Sequence, residues 1–211
     1  MDTYPFRFLR QLGRVRQIMT VLVSFGFGDL IERLGFRGYV EWGKRRLFRH
    51  PPKTGASTAE RIRLAFEQLG PTFIKFGQVL STRPDLLPAD VIDELSRLQE
   101  HVPMFDSIEA VRVIEDELRQ PIEQLFAEFD RTPLAAGSLA QVHRATHHDG
   151  TLLAVKIRRP RITQEIERDL ALMAEAAPLF AGIPQFAVFD PVGLVNHFTR
   201  TVRRELNFRR E

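Results

Sequence analysis

The sequence predicts an α+β fold, a small antiparallel sheet set between helical regions. Three observations predict it. Apolar residues recur at helical spacing, with caps and breakers, from Ser57 to about Gln120. The period then changes to that of strands within residues 122–158, around an Asp149-Gly150 turn. Helical spacing returns beyond that point, with Ile166, Leu170 and Met173 on one face.

Composition bounds the class. The chain has 211 residues, 44% hydrophobic and 27% charged, which is globular rather than disordered. It has no cysteine, which excludes a disulfide scaffold and a Cys-ligated zinc site and is compatible with a reducing compartment. Net charge is +3 although the pI is about 9.7. The high pI mostly reflects arginine, so ordinary surface arginine is favoured over nucleic-acid binding. No stretch is long and apolar enough to span a bilayer.

The elements follow in order. Residues 1–52 read as a basic, apolar, helical segment. Arg7, Arg10, Arg14 and Arg16 precede the apolar run Ile18 to Phe27, which is too short to span a bilayer and has no cleavage site of the signal-peptide kind after it. This run either packs on the body as a buried helix, the favoured reading, or lies on a membrane surface. Lys44-Arg45-Arg46 and Pro51-Pro52 close the segment, and Lys53 to Ala56 reads as a loop. Residues 53–121 read as a helical extension. Ser57 with Glu60 and Asp106 with Glu109 are capping boxes. Gly70-Pro71 separates two helices, and Pro88 stands at a helix start. Residues 122–211 hold the sheet, with strands over Leu139 to Ala145 and Leu152 to Ile157, a helix ending near Pro178, and a last helix opened by Asp190-Pro191. His143, His147 and His148 read as strand-end and turn histidines, not metal ligands.

The hairpin carries chemistry. Protein kinases place a G-x-G-x-x-G-x-V loop over the ATP phosphates, with V-A-I-K on the following strand. Ala135-Ala136-Gly137-Ser138-Leu139-Ala140-Gln141-Val142 falls on the first template, with alanine at two of the glycine positions. Leu153-Ala154-Val155-Lys156 falls on the second. Small residues let backbone N–H groups approach phosphate oxygens, and the lysine reaches them as a point charge. Ala135, Ala136, Gly137, Ser138, Leu139, Ala140, Val142 and Lys156 are therefore the expected ATP-binding residues. The bland reading is an unrelated hairpin with a strand-end lysine. Lys75, flanked by Phe73, Ile74 and Phe76, reads on its own as a lysine that snorkels to solvent. Gly77 inside a helix costs about 1 kcal/mol relative to alanine, which suggests close packing.

Gly70 to Gln78 contains Lys75-Phe76-Gly77-Gln78, which resembles the K-x-G-Q signature of the UbiB (AarF/ADCK-type) family of atypical kinases. Ser81-Thr82-Arg83-Pro84-Asp85-Leu86-Leu87-Pro88 resembles its continuation, Ala135 to His143 the family's alanine-rich loop, and Glu205 to Glu211 its E-x-D segment with the acidic residue after it. The resemblance covers most of residues 57–211. It implies a protein-kinase-like N-lobe, a small antiparallel sheet plus helix, with a helical N-terminal extension. It implies that Lys156 contacts the nucleotide phosphates and that Glu211 is its ion-pair partner. Lys75 and Gln78 would lie on an extension folded over the ATP cleft, which Glu205 helps to hold. Asn207 stands where the family has Asp, and Gly137 where it has Ala.

A kinase also needs a catalytic-loop Asp and Asn and a D-F-G Asp for Mg²⁺. The sequence has only Asn196 and Asn207, at no catalytic-loop spacing, and no D-F-G. The expectation is an N-terminal part with the C-lobe absent and the Mg²⁺ ligands beyond residue 211. It should bind ATP poorly and not turn it over. The resemblance further implies ubiquinone or related isoprenoid-lipid biosynthesis at the cytoplasmic side of a membrane, in a bacterium. ATP, a membrane surface or isoprenoid lipid, and ubiquinone-biosynthesis proteins are the partners expected, with no nucleic acid. The alternatives are a non-catalytic nucleotide-sensing scaffold and a helical membrane-surface adaptor.

Overall fold

The computed structural model describes residues 11–36, 55–98 and 104–208. Helices α1 (Leu12–Ser24), α2 (Gly28–Arg33), α3 (Thr58–Leu69), α4 (Pro71–Ser81) and α5 (Ala89–Ser96) come first. Next are α6 (Ser107–Leu118), the single turn α7 (Ile122–Leu125), and strands β1 (Glu128–Ala136), β2 (Ala140–Thr146) and β3 (Leu152–Arg158). Helices α8 (Ile162–Ala181), α9 (Pro184–Ala187) and α10 (Pro191–Glu205) follow. By contact the chain divides into two compact units, residues 1–98 with 166–211, and residues 99–165. This grouping cuts across the segments drawn along the sequence, because most of α8 and all of α10 group with the N-terminal helices.

Local chemistry sets the element ends. The Ser57 hydroxyl accepts from the Glu60 N–H at 3.1 Å and opens α3. The Asp106 carboxylate accepts from the Ile108 N–H at 2.8 Å, one residue before the expected Glu109. Gly70 sits at φ +96°, a conformation that glycine adopts without strain, and Pro71 starts α4 at its first position. Asp190 accepts from the Gly193 N–H at 3.0 Å and opens α10.

In the larger unit, Val21 of α1, Ala65 and Leu69 of α3, and Phe73 of α4 form one buried cluster, with Met173 of α8 against it. Leu80, Leu95 and Leu98 form a second, joined by Phe76 and Leu194. The Phe76 and Phe198 rings meet edge to face at 5.0 Å. The run Ile18 to Phe27 thus packs on the body, with Val21 buried in the core and Ile18, Phe25 and Phe27 partly buried against it. It is not one helix, because α1 stops at Ser24 and Gly26 turns the chain at φ +83°. Arg14 is drawn into the same core. Its guanidinium donates from Nε and Nη2 to the two oxygens of Asp169, at 2.8 and 2.6 Å, and from Nη2 to the Leu69 carbonyl at 2.7 Å. The Arg14 and Asp169 side chains are 9% and 2% exposed, so each charge is desolvated and depends on the other. The basic cluster and prolines read at 44–52, and the loop up to residue 54, lie outside the described residues.

In the smaller unit the strands run in the order β1-β2-β3, each antiparallel to its neighbour. One face packs against α6 and α7. Ala145, Ile157, Leu153 and Val155 meet Ala110, Ile114, Ile122 and Phe126 there. Gly150 takes φ +88° in the hairpin turn between β2 and β3, as the Asp-Gly signal required. The β1 strand was not read from sequence. Pro133 interrupts its alternation, and its pairing with β2 shifts register on both sides of that residue. Leu139, assigned to a strand, lies in the turn, and β2 begins at Ala140. Helix α8 continues past Pro178 to Ala181, since a proline in the last turn removes one donor without ending the helix at once.

Candidate functional site

Strand pairing places the hairpin residues on two faces. Leu153, Val155 and Ile157 point into the core with Gln141, His143 and Ala145. The alternation then puts Val142, Ala154 and Lys156 on the other face, where Ala154 and Lys156 are exposed. Val142 is paired with Ala135 on one side and with Lys156 on the other. A row of small or branched apolar groups therefore runs up to one ammonium across all three strands. Ala135 and Ala136 end β1, Gly137, Ser138 and Leu139 make the turn, and Ala140 opens β2. A methyl group added at Gly137 would meet only the Ala140 carbonyl, at 3.6 Å, so the alanine usual in the family would fit here.

The turn is held from the core side. The Gly137 N–H donates to the Ala140 carbonyl at 2.7 Å. Arg159 donates its backbone N–H to Leu139 O at 2.9 Å and its Nε–H to Gly137 O at 3.0 Å. Its guanidinium lies 5.5 Å from the Phe105 ring centre, and burial pushes its pKa down from the usual arginine value. Deeper, Gln141 accepts from the Phe105 N–H at 3.2 Å and donates to Phe105 O at 3.3 Å. The Gln141 amide also donates to His143 Nε2 at 2.9 Å, so the proton on Nδ1 goes to Asp130 O at 2.8 Å. His143 is thus a fully buried mid-strand residue stacked on Phe129, not a strand-end histidine. Neither Arg159 nor this network was read from sequence. An arginine directly after the lysine strand was the only available signal.

The larger unit holds the Lys-Phe-Gly-Gln segment on α4. Lys75 Nζ lies 2.7 Å from Glu205 Oε2 at the end of α10, with both side chains partly exposed. A side chain at Gly77 would strike Phe66, Leu95 and Leu98, with Phe66 Cδ2 only 2.9 Å from an added Cβ. Gln78 Nε2 donates to Leu98 O at 2.7 Å. Lys75 therefore ties α4 to α10 and Gln78 ties it to Leu98, while Gly77 lets it pack closely on Phe66, Leu95 and Leu98. Arg83 grips Asp85 through two hydrogen bonds of 2.9 and 2.7 Å in the turn after α4, and this holds the Asp85 carboxyl below its usual range. Glu211 lies outside the described residues. Among the described residues no group of three or more His, Cys, Asp or Glu side chains could hold a metal ion, and no helix is long and apolar enough to cross a membrane.

A three-stranded antiparallel sheet backed by a helix, with a small-residue turn and a lysine on its open face, defines the N-terminal lobe of a protein-kinase-like fold. Residues 97–211, more than half of the chain, match the ABC1 atypical kinase-like domain. The chain belongs to that family. It is 43% identical to the probable protein kinase UbiB of Aeromonas salmonicida over 96% of this chain and 38% of the relative. It is 39% identical to that of Pseudomonas fluorescens, over 96% and 39%, and 36% identical to that of Vibrio cholerae, over 95% and 38%. The chain therefore spans well under half the length of these relatives.

Proposed function

We propose that this chain is the nucleotide-binding N-terminal part of an ATP-dependent UbiB-type kinase or ATPase that supports ubiquinone or related isoprenoid-lipid biosynthesis at a membrane. The observation that carries the reading is the open sheet face. Val142 is the direct strand partner of Lys156, and Ala154 lies on the same face two residues before it, so small apolar groups adjoin the ammonium where a base could stack. Alanine and glycine through the turn keep the backbone accessible to phosphate oxygens. These residues fit ATP. Val142 and Ala154 would hold the base, Lys156 the phosphates, and Ala135 to Ala140 would cover them. Glu211 would orient Lys156. Lys75 and Gln78, held by Glu205 and Leu98 O, would be the functional residues of the helical extension. ATP would enter as Mg-ATP, whose metal no described residue is assigned to hold.

The test is ATP titration of the full chain by NMR. Weak, saturable shifts at Val142, Ala154 and the turn are expected, and Lys156→Ala should abolish the phosphate-dependent part of them. Equal responses in wild type and Lys156→Ala would remove the assignment. The membrane part rests on the family and on the basic N-terminal segment. Flotation of the full chain with anionic but not neutral vesicles is expected. Flotation with neither would remove it. Deleting residues 1–50 is not a usable control, because Arg14, Val15 and Val21 belong to the core.

A further inference from the structure

We propose that Arg159 is a positioning residue for the phosphate-binding turn, acting through the Gly137-Ser138 peptide. The inference rests on the nucleotide reading of the sheet face and adds a residue to it. A trans peptide is planar, so its C=O and the following N–H point in opposite directions. The Gly137 carbonyl accepts from Arg159 Nε at 3.0 Å. Arg159 continues the inward alternation of Leu153, Val155 and Ile157, and its guanidinium lies over Phe105, which packs against that same core. The Gly137 carbonyl is therefore held toward the core face. The Ser138 N–H, on the same peptide, is turned toward the face that carries Lys156. There it is a donor for a phosphate oxygen, beside the ammonium.

The second contact fixes the base of the turn. The Arg159 N–H binds Leu139 O at 2.9 Å, so one residue holds carbonyls on both sides of Ser138. The residue Ser138 is itself 7% exposed, which limits the freedom of the peptide to rotate back. In a glycine-rich loop the peptide planes turn easily. Here a guanidinium supplies the order, and alanines at 135, 136 and 140 reduce the conformations to be ordered.

Three variants of the full chain test the assignment. Glutamine has its side-chain N–H donor at the same number of bonds from Cα as Arg Nε. Methionine has a carbon there with no donor. Lysine keeps the charge but moves the donor one atom outward. Hydrogen exchange of the Gly137 amide and of the amide at position 159, which bond Ala140 O and Leu139 O, is read without nucleotide, and amide shifts are read with ATP and with adenosine. Arg159→Met is expected to speed exchange in the turn roughly tenfold while Val142 to Thr146 stay protected. It should also weaken the ATP response about tenfold or more and leave the adenosine response unchanged. Arg159→Gln should behave as wild type on all three readouts. Unchanged turn exchange in Arg159→Met, or ATP and adenosine weakened together, overturns the assignment. So does rescue by lysine and not by glutamine, which would make the effect one of charge. If the wild-type chain shows no saturable ATP response while Arg159→Met still loosens the turn, the nucleotide reading itself falls, and the phosphate role of Ser138 with it.

Discussion

The two units set their signature residues in different surroundings. In the larger unit, Lys75, Gly77 and Gln78 are engaged by the chain itself, through Glu205, the Phe66, Leu95 and Leu98 side chains, and the Leu98 carbonyl. In the smaller unit, Lys156 and Ala154 sit on an exposed sheet face, beside a turn that Arg159 ties down. Substitutions in the first should therefore act on stability, and in the second on binding. A motif residue set among packed helices is part of the scaffold, whatever else it does, whereas an exposed one has room for a ligand.

The largest effect is expected at the buried ion pair beneath α4. Asp169→Ala leaves the Arg14 guanidinium buried without its carboxylate and should cost about 3–5 kcal/mol, measured by urea unfolding. A cost under about 1 kcal/mol would mean that Arg14 reaches water and that the N-terminal helix is loosely held. Gly77→Val comes next. Overpacking against Phe66, Leu95 and Leu98 should destabilise by about 1–3 kcal/mol. Neutral behaviour would break the scaffold half of the comparison.

Lys156→Ala sharpens the other half. Unfolding should move by no more than about 0.5 kcal/mol, while ATP affinity falls about tenfold or more, as expected for one charge-assisted contact. Lys75→Ala, which removes a partly exposed pair, should cost roughly 0.2–1 kcal/mol. A larger loss of stability at Lys156 than at Lys75 would invert the comparison. The smallest effect lies in the β2–β3 turn. Hydrogen bonds from Thr151, with His147 adding to them, hold the Asp149 carboxyl down to about 2 from an ordinary 3.8. A lowered carboxylate stabilises the fold above its unfolded pKa and loses that contribution as pH falls through its folded one. Exchange of the Gly150 and Thr151 amides, corrected for intrinsic rate, should therefore rise between about pH 4 and 2. That rise should vanish in Asp149→Asn.

The same contrast explains what was legible. The helices of the larger unit were read closely because their ends carry chemistry, in Ser57, Gly70-Pro71 and Asp190-Pro191. The Gly77 packing was visible as a glycine tolerated inside a helix. The β2–β3 hairpin was visible through Asp149-Gly150. Strand β1 was not, since Pro133 and two register shifts destroy its alternation. Nor was the Arg14–Asp169 pair, because no local pattern joins residues 155 positions apart. Arg159 escaped for a related reason. Its role depends on a carbonyl of the preceding hairpin, and side-chain type says nothing about where a carbonyl points.

That separation of 155 positions has a temporal side. Residues 99–165 are contiguous and can close as soon as they leave the ribosome. The larger unit cannot, because its first helix waits for the carboxylate of Asp169. At ordinary synthesis rates of about 5–20 residues per second, α1 emerges roughly 8–30 seconds before its counter-ion. During that interval a nascent chain presents Val15, Val21 and a cation on one amphipathic helix with no core to enter. The permanent fold hides this surface, yet every newly made copy must first display it.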